Sequence, residues 1–259
     1  MYNLLLALGA AVVAFFLGFF VSGWIAGFVP ALFALVLVYF LLARRTQKQL
    51  EARLAAVMPA MQAGNLDEVR GILTSALPLG RWQFLVSAQI ESQLGQVDYL
   101  DGIRLKMMKQ ATNTTERFAR ARTHLVKAWS RDWRAYAVLA AIHHREGRVD
   151  DALAALVRVK GPAKAEPIYW ALHAFVLNEA KRRDEALQVL GEGLKENPKS
   201  KGLLAMQEAL SNRKRPQMAD FGEPWFTFFP EDIPREKMME MANAQMPKRS
   251  PKTYPMPRR

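Results

Sequence analysis

"RVDDALAALVRV", residues 148–159, and "RRDEALQVLGEG", residues 182–193, are one helix written twice. Around them Tyr136 and Trp170, Asp150 and Asp184, Ala152 and Ala186, and Leu156 and Leu190 each stand 34 residues apart. A fixed period of this length argues for a stacked array of identical supersecondary units. Each period contains two helical patterns, over 134–146 and 149–159 and then over 166–181 and 184–196. Neither pair can cover its own apolar stripe, so each needs a neighbouring pair to pack against.

Upstream the pattern loosens. "AGNLDEVRGIL" at 63–73 has a turn and second helix, with Gly64 in the place of Gly147, and "LGQVDYLDGI" at 94–103 echoes it from Gly95, 31 residues on. "NTTERFARARTHLVKAW" at 113–129 then opens a further helix, with Asn113 and Glu116 at capping-box spacing. The expectation is about four helix pairs with an irregular middle; a plain antiparallel bundle is the competing architecture.

The periodic residues resemble the tetratricopeptide repeat (TPR) family over 133–199: an aromatic early in the first helix (Tyr136, Trp170), Gly147 at the turn, small Ala152 and Ala186 where helices touch, and Pro198 after the second helix. The second copy has Lys181 where the family prefers glycine, and the first has Lys164 where the closing proline would fall. The resemblance implies a groove lined by the first helix of each pair. Carried onto this chain, its inward positions are Arg134, Ala137, Ala141, His144 and Arg145, then Ile168, Ala171, Phe175, Asn178 and Glu179. An apolar floor and a basic rim suit an amphipathic or mildly acidic protein segment. The alternative reading makes Phe175 and Ile168 inter-repeat core.

The first 43 residues are a different material, with no charged side chain before Arg44 and Arg45. One helix of that length would run about 65 Å, about twice a hydrocarbon core, so the run must fold back as a hairpin. Helix breakers collect in "SGWIAGFVP" at 22–30, and the second span starts either at Pro30 or at Trp24 with Pro30 inside it. Tyr2 and Tyr39 then fall near one interface and Trp24 near the other. A signal peptide would need a basic leader and a small-residue cleavage site, which this run lacks. Gly23 and Gly27 read as turn chemistry before dimerisation. Arg44, Arg45, Lys48 and Arg53 place the rest of the chain on the cytoplasmic side by the positive-inside bias.

Composition excludes several chemistries. Cysteine is absent, which removes disulfides, thiolate zinc sites and thiol nucleophiles. His143 and His144 are adjacent, so on a helix they diverge, and no HExxH surrounds them. "DFG" at 220–222 has no kinase context, and no Walker loop or nucleophile elbow appears. No catalytic residue, metal or cofactor is expected. The balance of 36 Lys and Arg against 24 Asp and Glu, a net +12, favours anionic partners. Arg117, Arg120, His124 and Lys127 form a stripe on one helix face, a candidate for acidic headgroups, an acidic protein or RNA phosphates, or a plain solvated face. No nucleic-acid-binding motif supports RNA. Asn113-Thr114-Thr115 fits the glycosylation sequon but reads as a helix cap.

After "NRKRP" at 212–216 come Phe221, Trp225, Phe226, Phe228 and Phe229, too much apolar surface to leave in water. They either cap the open end of the solenoid or anchor a partner. The Met-rich stretch 235–246 reads as a short helix and "PKRSPKTYPMPRR" as disordered. The chain is thus expected to be all-α: a transmembrane hairpin over 1–43, a TPR-like solenoid over 44–211, and an aromatic, Pro-rich basic tail over 212–259. The plan resembles bacterial inner-membrane TPR proteins, including the HemY-like group. Related membrane TPR proteins of lipopolysaccharide regulation carry a cysteine-zinc module, for which this chain has no ligands. The resemblance implies a non-enzymatic adaptor that binds protein partners within a membrane assembly, with an anionic-ligand binder using the basic stripe as the alternative.

Overall fold

The computed structural model describes residues 1–83, 85–129, 131–159, 162–234 and 236. The readings made for 235–246 and for the basic end from Pro247 lie, Glu236 apart, outside the described residues. Every regular element among the described residues is helical.

The apolar N-terminus forms α1 (Tyr2–Ser22) and α2 (Trp24–Leu54), separated by Gly23 alone. Gly23 turns the chain at φ 84°, a left-handed conformation that glycine adopts without a Cβ penalty. Both helices are long and apolar enough to cross a membrane. The 21 residues of α1 span about 31 Å, matching a hydrocarbon core of about 30 Å. Trp24 begins the second helix and Pro30 lies inside it. Proline has no N–H to offer the carbonyl of Ala26, and α1 approaches closely at that point. A Cβ on Gly18 would lie 2.6 Å from the Ala26 oxygen, and one on Gly27 would lie 2.8 Å from the Phe15 oxygen. The Gly23–Gly27 pair therefore divides its labour, with Gly23 making the turn and Gly27 the helix contact.

No break marks residue 43: α2 continues past Arg44 and Arg45 into the helical repeats, where Thr46 and Leu50 are buried. Leu50 joins a core built with α3 (Val57–Gln62), α4 (Leu66–Ala76) and the first half of α5 (Val86–Met107). A second core begins at Tyr99 of α5 and runs through α6 (Ala111–Leu125), α7 (Trp133–Arg145), α8 (Val149–Val157), α9 (Pro167–Glu179), α10 (Arg183–Glu196) and α11 (Lys201–Ser211) to the tail. Four antiparallel pairs, α3/α4 to α9/α10, are followed by α11, whose last carbonyls accept from Arg183. This is a TPR-like helical repeat.

Each pair turns by one local device. At Gly64, Lys109, Gly147 and Lys181 the backbone enters the left-handed region, at φ 70°, 61°, 74° and 63°. The next residue's N–H then reaches back to the helix, as Arg148 does to the His143 carbonyl at 2.9 Å and Arg182 to Leu177 at 2.9 Å. These are Schellman closures. Ala152 and Ala186 are fully buried at the helix contacts, as the period requires.

Two upstream readings are corrected. Gly95 is not a turn but lies inside the 22-residue α5, where a Cβ would meet the Leu125 side chain at 2.5 Å; Gly102 does the same against Phe118 at 2.6 Å. These glycines let α6 lie close along α5. Asn113 does not cap α6, which starts after Gln110, and the Asn113 amide donates to the Gln110 side chain at 3.1 Å.

Candidate functional site

The groove positions and the aromatic tail meet one another. After α11 the chain folds back across α9 and α7 as far as α5. A short helix, α12 (Glu223–Phe226), places Trp225 in the concave face with no residual exposure, and Phe226, Phe228 and Phe229 are buried with it. Phe175 of α9 meets Trp225 at 5.0 Å and Phe229 at 5.3 Å, both edge-on, and Trp225 stacks on Phe229 at 4.4 Å. Trp133 meets Phe228 at 6.0 Å. The Tyr99 hydroxyl donates to the Phe228 carbonyl. Burial raises the Tyr99 hydroxyl well above its ordinary value, so it stays a neutral donor. Phe221 stands apart, packed over Gly202 of α11.

Arg145 pins this seat. Its side chain is only 5% exposed, pairs with Glu231 at 2.5 Å, and lies over the Phe229 ring at 4.6 Å and the Tyr99 ring at 5.4 Å. His144 packs edge-on against Phe175 at 5.2 Å and Phe229 at 6.1 Å. Burial first, then the Arg145 charge, lowers the His144 pKa below 6.5, against the pull of Glu179 and Glu231. Ala137, Ala141 and Ala171 are fully buried core and Ile168 is buried with them, so the apolar floor belongs to the protein's interior. Arg134 is exposed beside the Trp133 ring, Asn178 is half-buried and Glu179 exposed. What stays open is a cleft of about 640 Å³ between α7, α9 and the tail, lined by His144, Arg145, Phe175 and Glu179 on one side and by residues 215–219, Phe229, Glu231 and Asp232 on the other.

The basic stripe turns toward α5. Arg117 reaches Asp101 at 2.9 Å, Arg120 lies 3.8 Å from Asp98, and His124 and Lys127 meet Glu91 at 2.5 and 3.2 Å. Arg70 of α4 closes the network from the other side, at 2.8 Å from Asp98 and 3.0 Å from Asp101. Asp98 is wholly buried at its centre. The face is an ion-pair ladder turned against α5, with Arg117 and His124 about a quarter exposed and Arg120 and Lys127, 41% and 54% exposed, at its open side.

Sequence reasoning missed Glu91, Asp98 and Asp101, for which a signal existed. Steps of 7 and 3 along α5 are mirrored by steps of 7 and 3 in reverse from Lys127, just past the end of α6, through Arg120 to Arg117 within it. That is the register of an antiparallel pair. It also missed Tyr99 and Arg70, for which no local pattern existed.

No family model matches the sequence, and no curated protein matches it. Among solved structures, one described as the functional characterization of Pseudomonas aeruginosa pilF is similar at a TM-score of 0.46 and 13% identity, over 77% of this chain and 88% of that chain. A likeness that distant carries no inference about function.

Proposed function

We propose that the protein is a membrane-anchored helical-repeat adaptor, bacterial in type and HemY-like in plan. The hairpin holds the repeats on the cytoplasmic side of the inner membrane, and a protein partner docks in the cleft between α7, α9 and the tail. The protein performs no chemistry of its own. The observation that carries this reading is the seat itself: a TPR-like concave face that already accommodates a segment of short helical turns through aromatic rings and a carboxylate on Arg145. A partner presenting an aromatic and an acidic group would find Phe175 and His144 along the open cleft and the exposed Arg215 guanidinium on its rim. The rigid continuation of α2 from the apolar span into the repeat core supports a scaffold whose groove is held at a fixed distance from the bilayer.

In-cell photo-crosslinking from position 179 of the full-length protein tests this. One protein captured from Glu179 and not from Val157, 70% exposed on α8, supports the adaptor. Equal capture at both positions, or none at 179, refutes it. The alternative of a basic stripe gripping free anions or RNA loses support from the ladder, because Arg117, Arg120 and His124 already have carboxylates.

A further inference from the structure

We infer that the end of the repeat domain carrying Trp82, Val126 and Trp129 rests on the headgroup layer of an anionic bilayer. This rests on the reading of α1 and α2 as membrane spans, and adds a second, peripheral contact to it. The Asn3 N–H donates to the Trp82 carbonyl at 3.1 Å, and the Tyr2 ring meets the Trp82 ring edge-on at 5.3 Å. The Asn3 side chain also donates to Thr46 at 2.9 Å. Trp82 therefore sits level with the point where the apolar spans give way to Arg44 and Arg45. It is nevertheless 43% exposed, and an indole at that depth belongs at the boundary between headgroups and acyl chains.

The loop after α6 lies on the same side. Met1, Gly80, Lys127 and Trp129 line one cleft of about 460 Å³, which fixes that loop beside the start of α1. Val126 and Trp129 are 52% and 40% exposed, and Arg131 lies over the Trp129 ring at 5.4 Å. Exposed Arg81, Lys127 and Arg131 add to the juxtamembrane Arg44, Arg45 and Lys48. The neighbouring carboxylates do not cancel this charge: Glu91 is paired with His124 and Lys127, while Asp132, held by Ser92 and the Ala135 N–H, and Glu51, held by Gln47, are outnumbered by the remaining five cations. Apolar rings ringed by cations on the bilayer side match a surface of lipid phosphates over acyl chains.

Because the chain has no cysteine, a single Val126→Cys variant accepts one nitroxide label. The full-length protein is reconstituted in vesicles of phosphatidylethanolamine and phosphatidylglycerol at about three to one, near a bacterial surface charge. Power saturation then compares collisions with oxygen and with a water-soluble nickel chelate. Val157→Cys serves as the aqueous reference and Val13→Cys, in α1, as the hydrocarbon reference. The expected result is an oxygen-to-nickel ratio at 126 several-fold above that at 157 and below that at 13, falling toward the aqueous value when Trp129→Ser and Arg131→Glu are added. A water-like label at 126 beside a hydrocarbon-like label at 13 overturns the inference and leaves the anchor standing. A label at 126 shielded from both reagents would indicate a protein on this face and overturns it too. A water-like label at 13 removes the anchor and this inference together.

Discussion

Two regions carry most of the chain's conspicuous side chains, and they are satisfied in opposite ways. The α5/α6 ladder pairs charge with charge inside one helical hairpin, across separations of 33 and 36 residues. The α7/α9 seat is filled by rings arriving from far along the chain, with Tyr99 and Phe228 separated by 129 residues and Arg145 and Glu231 by 86. Closing the longer loop costs only about 1 kcal/mol more than the shorter, because closure entropy grows with the logarithm of length. Burial of a single tryptophan outweighs that difference. The ladder gains less, since desolvating Asp98 offsets much of its attraction to Arg70 and Arg120. Its value lies in register: complementary charges at matched steps hold α6 at one position along α5.

The sharpest way to break the comparison is to empty each region in turn. Trp225→Ala removes a fully buried indole from the seat and is expected to destabilise the full-length protein by about 3–5 kcal/mol, measured by chemical unfolding in detergent. The loss should be insensitive to salt. Asp98→Ala leaves Arg70 and Arg120 facing a void and is expected to cost about 3 kcal/mol, since Arg70 keeps Asp101 and Asp67. Here added salt should alter the difference between variant and parent, because Arg120 is 41% exposed. Equal salt dependence in the two variants would mean the regions are not held by different physics.

Acid should separate them as well. His143, His144 and His173 all have pKa values below 6.5, with burial the largest cause in each. The unfolded chain binds protons near pH 6.5 and the folded one only at lower pH. Stability is therefore complete above about pH 6.5 and falls as pH drops toward the folded values. Denaturation midpoints followed from about pH 7 to about pH 5 should decline, and His144→Gln should make the decline shallower. An unchanged slope would show that the seat does not hold His144 neutral.

How much of this was legible depends on the range of the signal. The 34-residue period gave the helix pairs of the last two repeats, because small and aromatic residues at fixed steps report local contact. The lack of charge before Arg44 and the glycine at 23 gave the hairpin. Gly95 misled: a glycine inside a helix can mark a close neighbour as readily as a turn, and only the facing Leu125 distinguishes the two. Once α5 is seen as one helix, its acids fall opposite the basic stripe. The tail's aromatics announced that they must be buried but carried no address, since Tyr99, Phe175 and Arg145 share no period with them.

The smallest expected effect asks whether the two regions obey one local rule despite their different side chains. Lys109 turns the ladder hairpin and Lys181 the α9/α10 pair, both at left-handed φ, whereas Gly147 makes the same turn between α7 and α8. A Cβ in that conformation costs about 1–2 kcal/mol, and glycine gives back about 0.5–1 kcal/mol through the freedom it adds to the unfolded chain. Lys109→Gly and Lys181→Gly should therefore each stabilise by somewhat under about 1 kcal/mol, and Gly147→Lys should destabilise by a similar amount. Unfolding midpoints of the three single variants decide it. If Lys109→Gly alone fails to stabilise, the Lys109 side chain is contributing to the ladder hairpin beyond its backbone, and the turns cannot be treated as interchangeable parts. If all three follow sign and size, the Schellman closure is common to every pair, and the contrast between ladder and seat lies wholly in what the helices present to one another.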